Sequence, residues 1–299
     1  MSRAPAVYVV IVNYRSAKLV RQCIDSLASQ PIDKVLIVDN DSGGGEIAEL
    51  QSIAASTRNV EIVQNSNNSG FGAGVNLGVA AADGRDGDYL WVLNPDTVIH
   101  EGCVAELIRV LENGSAIASP IILNGRIGHE KIWFAGGEVD TNAMKTPHRH
   151  FGTPVEYADS LPPVLRTGFI TGTAPFLTFG IWNLLGGLRE DLFMYWEDAD
   201  FSVRANAAGM RMDVATRARV WHAVGGTSGE HGLSPLYYRF MQRNRVRLAR
   251  EWGASRNVFR GRGLVQTLTL LSSPLFEPSR RIASARASLG GLREGLREK

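Results

Sequence analysis

Short apolar runs alternate with helix-like segments through the first 120 residues of this 299-residue chain. Parallel strands need a long crossover between them, usually a helix, so the alternation predicts a parallel sheet that helices cover on both faces. In sheets of this kind, ligands bind beyond the carboxyl ends of the strands. The runs that we predict as strands are Val7–Val12, Lys34–Val38, Val60–Val63, Tyr89–Leu93 and Ala116–Pro120.

A helix is predicted after each of the first four strands. Ser16 is of a type that caps helices, and the residues that follow it have apolar positions at helical spacing. These positions are Val20, Cys23, Ile24, Leu27 and Ala28. The later helices are predicted near Glu46–Ser56, Gly72–Ala82 and Glu101–Glu112.

Regular patterns weaken after residue 120, where we predict a loop-rich excursion with short strands up to Leu165. They return at Gly168–Phe179 and in a helix over Glu197–Ala208, which Gly209 is expected to terminate. Beyond Ser234 the chain is predicted to be largely helical. We therefore predict one domain over residues 1–233, with halves of about 1–120 and 121–233, and a basic helical extension over residues 234–299.

The basic residues are concentrated at the C-terminal end, although the net charge is only +2. Residues 239–299 hold 14 Lys or Arg and 4 Asp or Glu, a balance of +10, which leaves −8 for the preceding residues. This asymmetry predicts an anionic surface or partner for the extension, and the alternative is a solvated helical face. The apolar stretch Leu264–Phe276 is too short to span a bilayer.

The cysteines and the first residues both favour a cytosolic chain. Cys23 and Cys103 lie far apart in helix-like patterns, which predicts buried, reduced thiols. Residues 1–5 lead directly into the first strand, so we expect no secretory signal peptide.

Two common nucleotide-binding classes are excluded by the loops. A dinucleotide-binding unit needs glycines after the first strand, where this chain has Asn13-Tyr14-Arg15-Ser16. The stretch Gly70-Phe71-Gly72-Ala73-Gly74 follows the third strand and lacks the required spacing. No phosphate loop ending in Gly-Lys-Ser/Thr occurs, so the chain is neither a nicotinamide or flavin dehydrogenase nor a P-loop protein.

Polar residues follow the predicted strands at the edge where ligands bind. A carboxylate such as Asp96 at this edge can hold a divalent cation, and the acidic cluster Glu197-Asp198-Ala199-Asp200 can supply a base. If chain folding brings Asp96, Asp198 and His222 to a common cleft, the arrangement predicts metal-assisted group transfer. The alternatives are ordinary turn chemistry and a solvated first helical turn.

These motifs together resemble the inverting family 2 glycosyltransferases of the GT-A fold, in particular the bacterial rhamnosyltransferase branch that builds cell-surface polysaccharides. The resemblance covers roughly residues 7–230, and the order and spacing of its motifs carry it. It implies an α/β fold of GT-A type, a Rossmann-like sandwich with a mostly parallel central sheet and a helical C-terminal extension. The motifs are residues 12–14, 38–42, 68–76, 93–97 and 195–200, then His222 and Gly225-Gly226-Thr227-Ser228.

On the donor side, the resemblance implies a nucleotide-diphosphate sugar and a Mg²⁺ or Mn²⁺ cofactor. Asp39 would contact the nucleobase, and Asp96 would bind the metal, with His222 completing the metal shell. This chain departs from the family at Asn94, where the motif has its first acidic residue. The further nucleotide-sugar-binding residues implied are Asn13, Tyr14, Asn68, Gly70, Phe71, Asn76 and Asn94.

On the acceptor side, the resemblance assigns Asp198 as the catalytic base, with Glu197 beside the acceptor or adjusting Asp198. Gly172 and Thr173 would form the floor of the acceptor site. Packing of the backbone would explain these two residue types equally well. Trp196 would stack on a sugar or be buried as a core aromatic residue. Asp200 is expected to be a structural residue at the helix start.

The activity that we predict is transfer of L-rhamnose from dTDP-L-rhamnose to a cell-surface glycan or a polyprenyl-diphosphate-linked acceptor, with inversion. The alternatives are a UDP-hexose transferase of the same fold, a nucleotide-sugar hydrolase and a non-catalytic sugar-nucleotide-binding protein. No nucleic-acid partner is expected. The basic extension predicts peripheral contact with the inner face of the plasma membrane, and the alternatives are a homodimer contact and a helix that packs against the body of the protein.

Overall fold

The computed structural model describes residues 3–126, 128–223 and 232–297. Strands and helices alternate through its first half. In chain order they are β1 (Val7–Asn13), α1 (Ala17–Leu27), β2 (Lys34–Asp39), α2 (Gly44–Ser56), β3 (Val60–Gln64), α3 (Phe71–Ala82), β4 (Tyr89–Leu93), β5 (Thr97–Ile99), α4 (Cys103–Glu112) and β6 (Ile117–Asn124). The later elements are β7 (Lys131–Phe134), β8 (Val164–Arg166), β9 (Phe176–Thr178), α5 (Phe179–Leu185), α6 (Glu197–Ala207), β10 (Met212–His222), α7 (Pro235–Glu251), α8 (Gly261–Ser272) and α9 (Arg281–Arg297).

All described strands belong to one mixed sheet with the order β3-β2-β1-β4-β9-β6-β10-β5, with β7 paired to β6 and β8 to β10. The predicted parallel arrangement is confirmed for β3-β2-β1-β4, whose crossovers contain helices. β6 and β10 are also parallel, whereas β5, β7, β8 and β9 join in antiparallel pairs. These four strands are only three or four residues long and are placed by loops, so no helical crossover fixes a parallel direction.

The central strands are apolar on both faces because helices cover both sides of the sheet. Val9 and Ile11 of β1 pack in one core cluster with α1, α2 and α4. Val10 and Val12, which point to the opposite face, pack in a second cluster with α3, α5 and α6. This two-sided burial explains the uninterrupted apolar runs in the sequence.

The predicted strands and helices of the first half are confirmed, although the short strand β5 was not predicted and Ser16 does not act as a cap. Ser16 occupies the N-cap position of α1, but its hydroxyl donates to Asn13 Oδ1 at 2.9 Å and makes no helix cap. The sequence did not predict β10, because Asp213 and Arg219 interrupt its apolar pattern. Asp213 is fully buried, where Ser115 and Arg211 satisfy one of its carboxylate oxygens. Gly209 follows α6 with a φ of +69°, as predicted for a helix terminator.

The helices after residue 234 pack against the rest of the molecule. Arg245 of α7 is fully buried, and its guanidinium donates to the carbonyl oxygens of Ala143, Met144 and Gly263 and to the Thr267 hydroxyl. The division at residue 233 therefore stays a prediction about folding units. Among the described helices, none is both long and apolar enough to cross a membrane. Cys23 and Cys103 are buried free thiols, as predicted.

Candidate active site

A cavity of about 470 Å³ lies at the carboxyl ends of the parallel strands and is lined by residues from both halves of the chain and from α7. The prediction that Asp96, Asp198 and His222 meet in one cleft is confirmed, since all three line this cavity. The other predicted site residues along its wall are Phe71, Asn94, Gly172, Thr173, Trp196 and Glu197.

Strand pairing brings Asp96 and His222 together. Asp96 lies in the turn between β4 and β5, which Thr97 closes by donating its hydroxyl to the carbonyl oxygen of Asn94 at 2.7 Å. In the antiparallel pair of β5 with β10, His222 stands opposite Thr97. As a result, the imidazole Nε2 of His222 lies 3.0 Å from Asp96 Oδ1, and the Asn94 amide lies 3.4 Å from the same nitrogen.

The Asp96–His222 pair fits a divalent cation as part of a shell. Carboxylate oxygen and imidazole nitrogen both ligate Mn²⁺, and carboxylate oxygen suits Mg²⁺. Within residues 3–126, 128–223 and 232–297, no group of three or more His, Cys, Asp or Glu side chains could hold a metal. An ion at this pair would therefore need further ligands from a substrate or from water.

Asp198 is held at the start of α6 by backbone donors. Its Oδ2 accepts the N–H of Gly172 at 3.0 Å, and its Oδ1 accepts the N–H of Ala199 at 2.8 Å. Burial raises the pKa of Asp198, and these two donors offset part of the effect. Each carboxylate oxygen keeps a second lone pair, so the group can still accept a proton from a ligand in the cavity.

Glu197 is almost completely buried beside Asp198. Burial, followed by the charge of Asp198, raises the pKa of Glu197. Its Oε2 has no hydrogen-bond partner among the described residues. These observations favour a protonated Glu197 next to an ionised Asp198, because two adjacent buried carboxylates resist carrying two charges.

Three unpartnered polar atoms belong to residues that line this cavity. They are Trp196 Nε1, Glu197 Oε2 and His222 Nδ1, each buried and without a hydrogen-bond partner in the described residues. Buried polar groups are nearly always paired in folded proteins, so these three atoms are available to a molecule that enters the cavity.

Trp196 is only 4% exposed, and its ring lies 6.3 Å from that of Trp252. Of the two roles that the sequence left open, the structure favours the buried aromatic. The ring lines the cavity but offers little surface for stacking on a sugar. Asp200 is also buried and pairs with Arg204, in agreement with its predicted structural role.

Asn13, Asp39 and Ser42, at the ends of β1 and β2, do not line the cavity and are hydrogen-bonded to one another, with Ser16 joining this network to the cavity wall. Asn13 donates to Asp39 Oδ1 at 2.8 Å and to the Ser42 hydroxyl, and it accepts two hydrogen bonds from Ser16. The N–H of Ser42 donates to Asp39 Oδ2 at 3.1 Å. Asp39 is 1% exposed, so in this conformation it shapes the loop and does not present a free carboxylate. Tyr14 is the exposed member of this group, and its ring stacks against the Arg15 guanidinium.

Asn68, Gly70 and Asn76 do not line this cavity but form hydrogen bonds and close contacts between loops, and their role in nucleotide-sugar binding stays a prediction. Asn68 Oδ1 accepts the N–H of Gly70 at 3.1 Å. Gly70 has a φ of +91°, and a Cβ there would overlap the carbonyl oxygen of Phe193. The Asn76 amide accepts the N–H of Leu188 at 3.0 Å and donates to Leu188 and to Glu190, so its hydrogen-bonding groups are already occupied.

Sequence reasoning missed an aromatic wall of the cavity, formed by Trp133, His148 and Phe169. The Trp133 ring lies edge-to-face with His148 at 4.6 Å and with His222 at 5.5 Å. His148 donates from Nδ1 to the carbonyl oxygen of Trp133 at 2.9 Å, and burial lowers its pKa, so the ring is neutral. Trp133 and His148 lie in the irregular segment after residue 120, where no periodic pattern marked them, and Phe169 follows it at the start of Gly168–Phe179.

Helix α7 also reaches the cavity, through Tyr237 and Met241. The sequence had assigned this helix to a separate extension. The motif residues Gly225-Gly226-Thr227-Ser228 lie outside the described residues.

Comparison with known proteins gives one family. Residues 8–157 match the profile described as Glycosyl transferase family 2, which covers half of the chain. The match includes Asp96 and ends before Asp198 and His222.

Two curated relatives align with more than half of the chain. A low-salt glycan biosynthesis hexosyltransferase from Haloferax volcanii is 25% identical over 203 residues, which are 66% of this chain and 60% of that protein. An N-acetylglucosaminyl-diphospho-decaprenol L-rhamnosyltransferase from Mycobacterium tuberculosis is 27% identical over 235 residues, which are 71% of this chain and 73% of that protein. The chain thus spans about three fifths of the length of the first relative.

The fold is shared with solved GT-A glycosyltransferases. A mannosyltransferase from Pyrobaculum calidifontis, solved in complex with GDP-Man and Mn²⁺, superposes with a TM-score of 0.57 at 13% identity. The superposition covers 100% of this chain and 77% of that chain. The predicted fold class is therefore confirmed.

Proposed function

The chain belongs to glycosyl transferase family 2, and on this basis we propose that it is an inverting glycosyltransferase that uses a nucleotide-diphosphate sugar. The observation that carries the proposal is the convergence of Asp198 and the Asp96–His222 pair on one cavity. Transfer of this kind needs a base for the acceptor and a positive charge at the leaving diphosphate. Asp198 can supply the base, and the Asp96–His222 pair could hold an ion that supplies the positive charge.

Asp198 is the proposed general base. A sugar hydroxyl is a weak nucleophile, and Asp198 accepts its proton as the oxygen bonds to the anomeric carbon. The bond from that carbon to the diphosphate breaks as the new bond forms, and the electron pair leaves with the diphosphate. Because the acceptor attacks from the side opposite the leaving group, the anomeric configuration is inverted.

Glu197 is proposed to act as a neutral neighbour of Asp198. A protonated carboxyl can donate one hydrogen bond, and its unpartnered Oε2 is available to an acceptor hydroxyl. Keeping Glu197 neutral also leaves the single negative charge on Asp198, which takes up the proton.

Asp96 and His222 are proposed to hold Mg²⁺ or Mn²⁺. When bound, the ion would offset the negative charge that develops on the departing diphosphate. Asn94 stands next to the Asp96–His222 pair and is neutral. Asp96 is therefore the one carboxylate of the proposed metal site. A single carboxylate makes metal affinity dependent on the diphosphate that arrives with the donor.

L-Rhamnose from dTDP-L-rhamnose is the proposed donor, with a lipid-linked or cell-surface glycan as acceptor. The name of the mycobacterial relative, an L-rhamnosyltransferase acting on a diphospho-decaprenol acceptor, supports this choice at 27% identity. The second candidate is a UDP-hexose, and the name of the hexosyltransferase from Haloferax volcanii supports a hexose as the sugar transferred.

Peripheral membrane contact at the cytoplasmic face is the proposed location. On α8, the side chains of Val265 and Leu268 are exposed, and Phe276, which follows the helix, is 82% exposed. Arg286 and Arg293 of α9 are exposed and form no ion pair with a described residue. Exposed apolar side chains and exposed arginines on these C-terminal helices suit an anionic lipid surface. A homodimer contact through these helices is the alternative.

The experiment that tests the enzyme activity combines a binding screen with a transfer assay. Nucleotide sugars are screened by thermal shift with and without Mn²⁺, and the donor that raises Tm most is then incubated with N-acetylglucosaminyl-diphospho-polyprenol. Transfer of the sugar with inverted configuration is expected. Metal-dependent cleavage that is unaffected by the acceptor would indicate a hydrolase, and binding without turnover against any acceptor would indicate a binding protein.

A further inference from the structure

The backbone directly before the catalytic helix is strained. Phe193 has φ +65° and ψ −59°, and the N–H of Met194 donates to the carbonyl oxygen of Leu192 at 2.8 Å. Together these describe a γ-turn with a positive central φ, a rare and strained conformation. Tyr195 and Trp196 follow with φ of +65° and +76°, and α6 begins at the next residue. Non-glycine residues adopt such angles only where surrounding contacts impose them.

One side chain of α7 supplies much of this restraint. Asn244 is fully buried, and its Nδ2 lies 2.9 Å from each of the carbonyl oxygens of Leu192, Met194 and Tyr195. An amide nitrogen carries two hydrogens, so at least one of them is shared between two carbonyls. Its Oδ1 accepts a hydrogen bond from Arg243 at 2.9 Å, which fixes the orientation of the amide.

The remaining carbonyl of the turn is held from the opposite side. The N–H of Phe71, at the start of α3, donates to the carbonyl oxygen of Phe193 at 2.6 Å. Four consecutive carbonyls, 192 to 195, therefore accept hydrogen bonds from side chains or backbone outside the turn. The turn is therefore held by two elements, the start of α3 through Phe71 and α7 through Asn244.

We propose that Asn244 is a positioning residue for the catalytic carboxylates. It acts by holding the strained turn that sets where α6 begins, and thus where Glu197 and Asp198 enter the cavity. The predicted effect of Asn244 on kcat rests on the proposed transferase function, whereas its predicted effect on the backbone of the turn does not. Small displacements of a general base are costly, since a 1 Å misplacement can reduce a rate about 100-fold.

The test compares Asn244→Ala with Asn257→Ala in the full chain. Asn257 also donates its amide to a carbonyl oxygen, that of Thr141 at 3.0 Å, but it makes no hydrogen bond to the turn at residues 192–195, so it is the control. Asn244→Ala is expected to lower kcat about 10- to 100-fold with a smaller change in the donor KM, because the hydrogen bonds it removes hold the turn before Glu197 and Asp198 and none of them reaches Asp96 or Phe71. Asn244→Asp keeps the shape and loses the donors, so its kcat is expected to fall at least as far.

A second readout does not depend on activity. Hydrogen exchange of the backbone amides in residues 193–200 is expected to be faster in Asn244→Ala than in the wild type or in Asn257→Ala. If the alanine variant fails to fold, Asn244→Ser, which keeps one donor, serves for both measurements.

The outcomes separate the two proposals. An active wild type with unchanged kcat and unchanged exchange in Asn244→Ala overturns the positioning role alone. A wild type that binds donor and transfers nothing overturns the proposed function, and the exchange measurement then tests by itself whether Asn244 holds the turn. A loss of Tm with kcat and exchange preserved would make Asn244 a stability residue only.

Discussion

The imidazole Nε2 of His222 lies 3.0 Å from a carboxylate oxygen of Asp96, although β10 and the β4–β5 turn are far apart in the sequence. The antiparallel pairing of β5 with β10 creates this contact, because His222 stands opposite Thr97. The pair is the part of the cavity whose donor atoms fit a divalent cation, and its chemistry gives the first prediction.

Removal of either member of the pair should abolish metal-dependent transfer. Asp96→Asn and His222→Ala are each expected to lower kcat/KM by about 100-fold or more, since charge stabilisation by an ion contributes several kcal/mol. Mn²⁺ should also no longer raise the Tm measured with a nucleoside diphosphate. The control is His129→Ala, an exposed histidine outside the cavity lining. Full activity of both variants in excess chelator would contradict the metal site.

Replacement of the proposed base should stop transfer without loss of donor binding. Asp198→Asn keeps the shape of the side chain and cannot take up the proton, so kcat should fall about 10²- to 10⁴-fold. The measurements are product formation and the donor Kd by calorimetry. Asp159→Asn, which alters an exposed carboxylate paired with Arg219, should be without effect. Undiminished donor cleavage by Asp198→Asn would instead favour a hydrolase.

The buried carboxyl of Glu197 should make stability depend on pH. Its pKa is raised in the folded protein by burial and by Asp198, so above the ordinary carboxyl pKa of about 4.3 the unfolded state binds fewer protons and stability falls as pH rises. Glu197→Gln replaces the carboxyl with a group that does not titrate, and so it removes this loss of stability at higher pH. Its Tm gain over the wild type should be roughly 2–4 °C greater at pH 8 than at pH 4.

Scanning calorimetry at the two pH values checks this, with Glu156→Gln as an exposed control. An equal gain at both pH values would mean that Glu197 is ionised normally in the folded protein.

A side chain at Gly70 should destabilise the protein. Gly70 has a φ of +91°, and a Cβ there would overlap the carbonyl oxygen of Phe193, which the N–H of Phe71 already binds. Gly70→Ala is expected to lower the free energy of unfolding by about 2–3 kcal/mol or more. Gly45→Ala, in α2 with open space around the added carbon, should be neutral or slightly stabilising. Denaturant unfolding of both variants provides the comparison, and an equal stability would show that the loop moves freely.

The exposed face of the C-terminal helices should bind anionic vesicles. Arg286→Gln combined with Arg293→Gln should weaken binding to phosphatidylglycerol vesicles roughly 30-fold, at about 1 kcal/mol for each arginine. Val265→Ser combined with Leu268→Ser should also weaken it, whereas Leu184→Ser, an exposed apolar residue of α5, should not. Substitutions are needed because truncation at residue 233 would remove α7 and its cavity residues. Flotation with equal recovery of all variants would exclude this surface as a membrane contact.

The strands, the helices and the order of the functional motifs could be read from the sequence. Two-sided burial makes β1, β2 and β4 continuous apolar runs, and crossover helices carry their own periodicity, so local patterns sufficed. The carboxylates Asp96 and Asp198 were also identified from short motifs at a strand end and a helix start. β10 was missed, because its buried Asp213 and its arginines hide an apolar strand.

Tertiary structure decided which of the predicted residues share a cavity. Asn13, Asp39 and Asn76 have the residue types of a binding site, yet their polar atoms bond to neighbouring loops. Conversely, Trp133 and His148 line the cavity from an irregular segment, and Asn244 clasps the turn at Phe193 from a helix assigned to an extension. The physical reason is that hydrogen bonding and burial depend on partners that lie far away in the chain. Local sequence shows which groups can bond, and only the fold determines which groups are already bonded to each other.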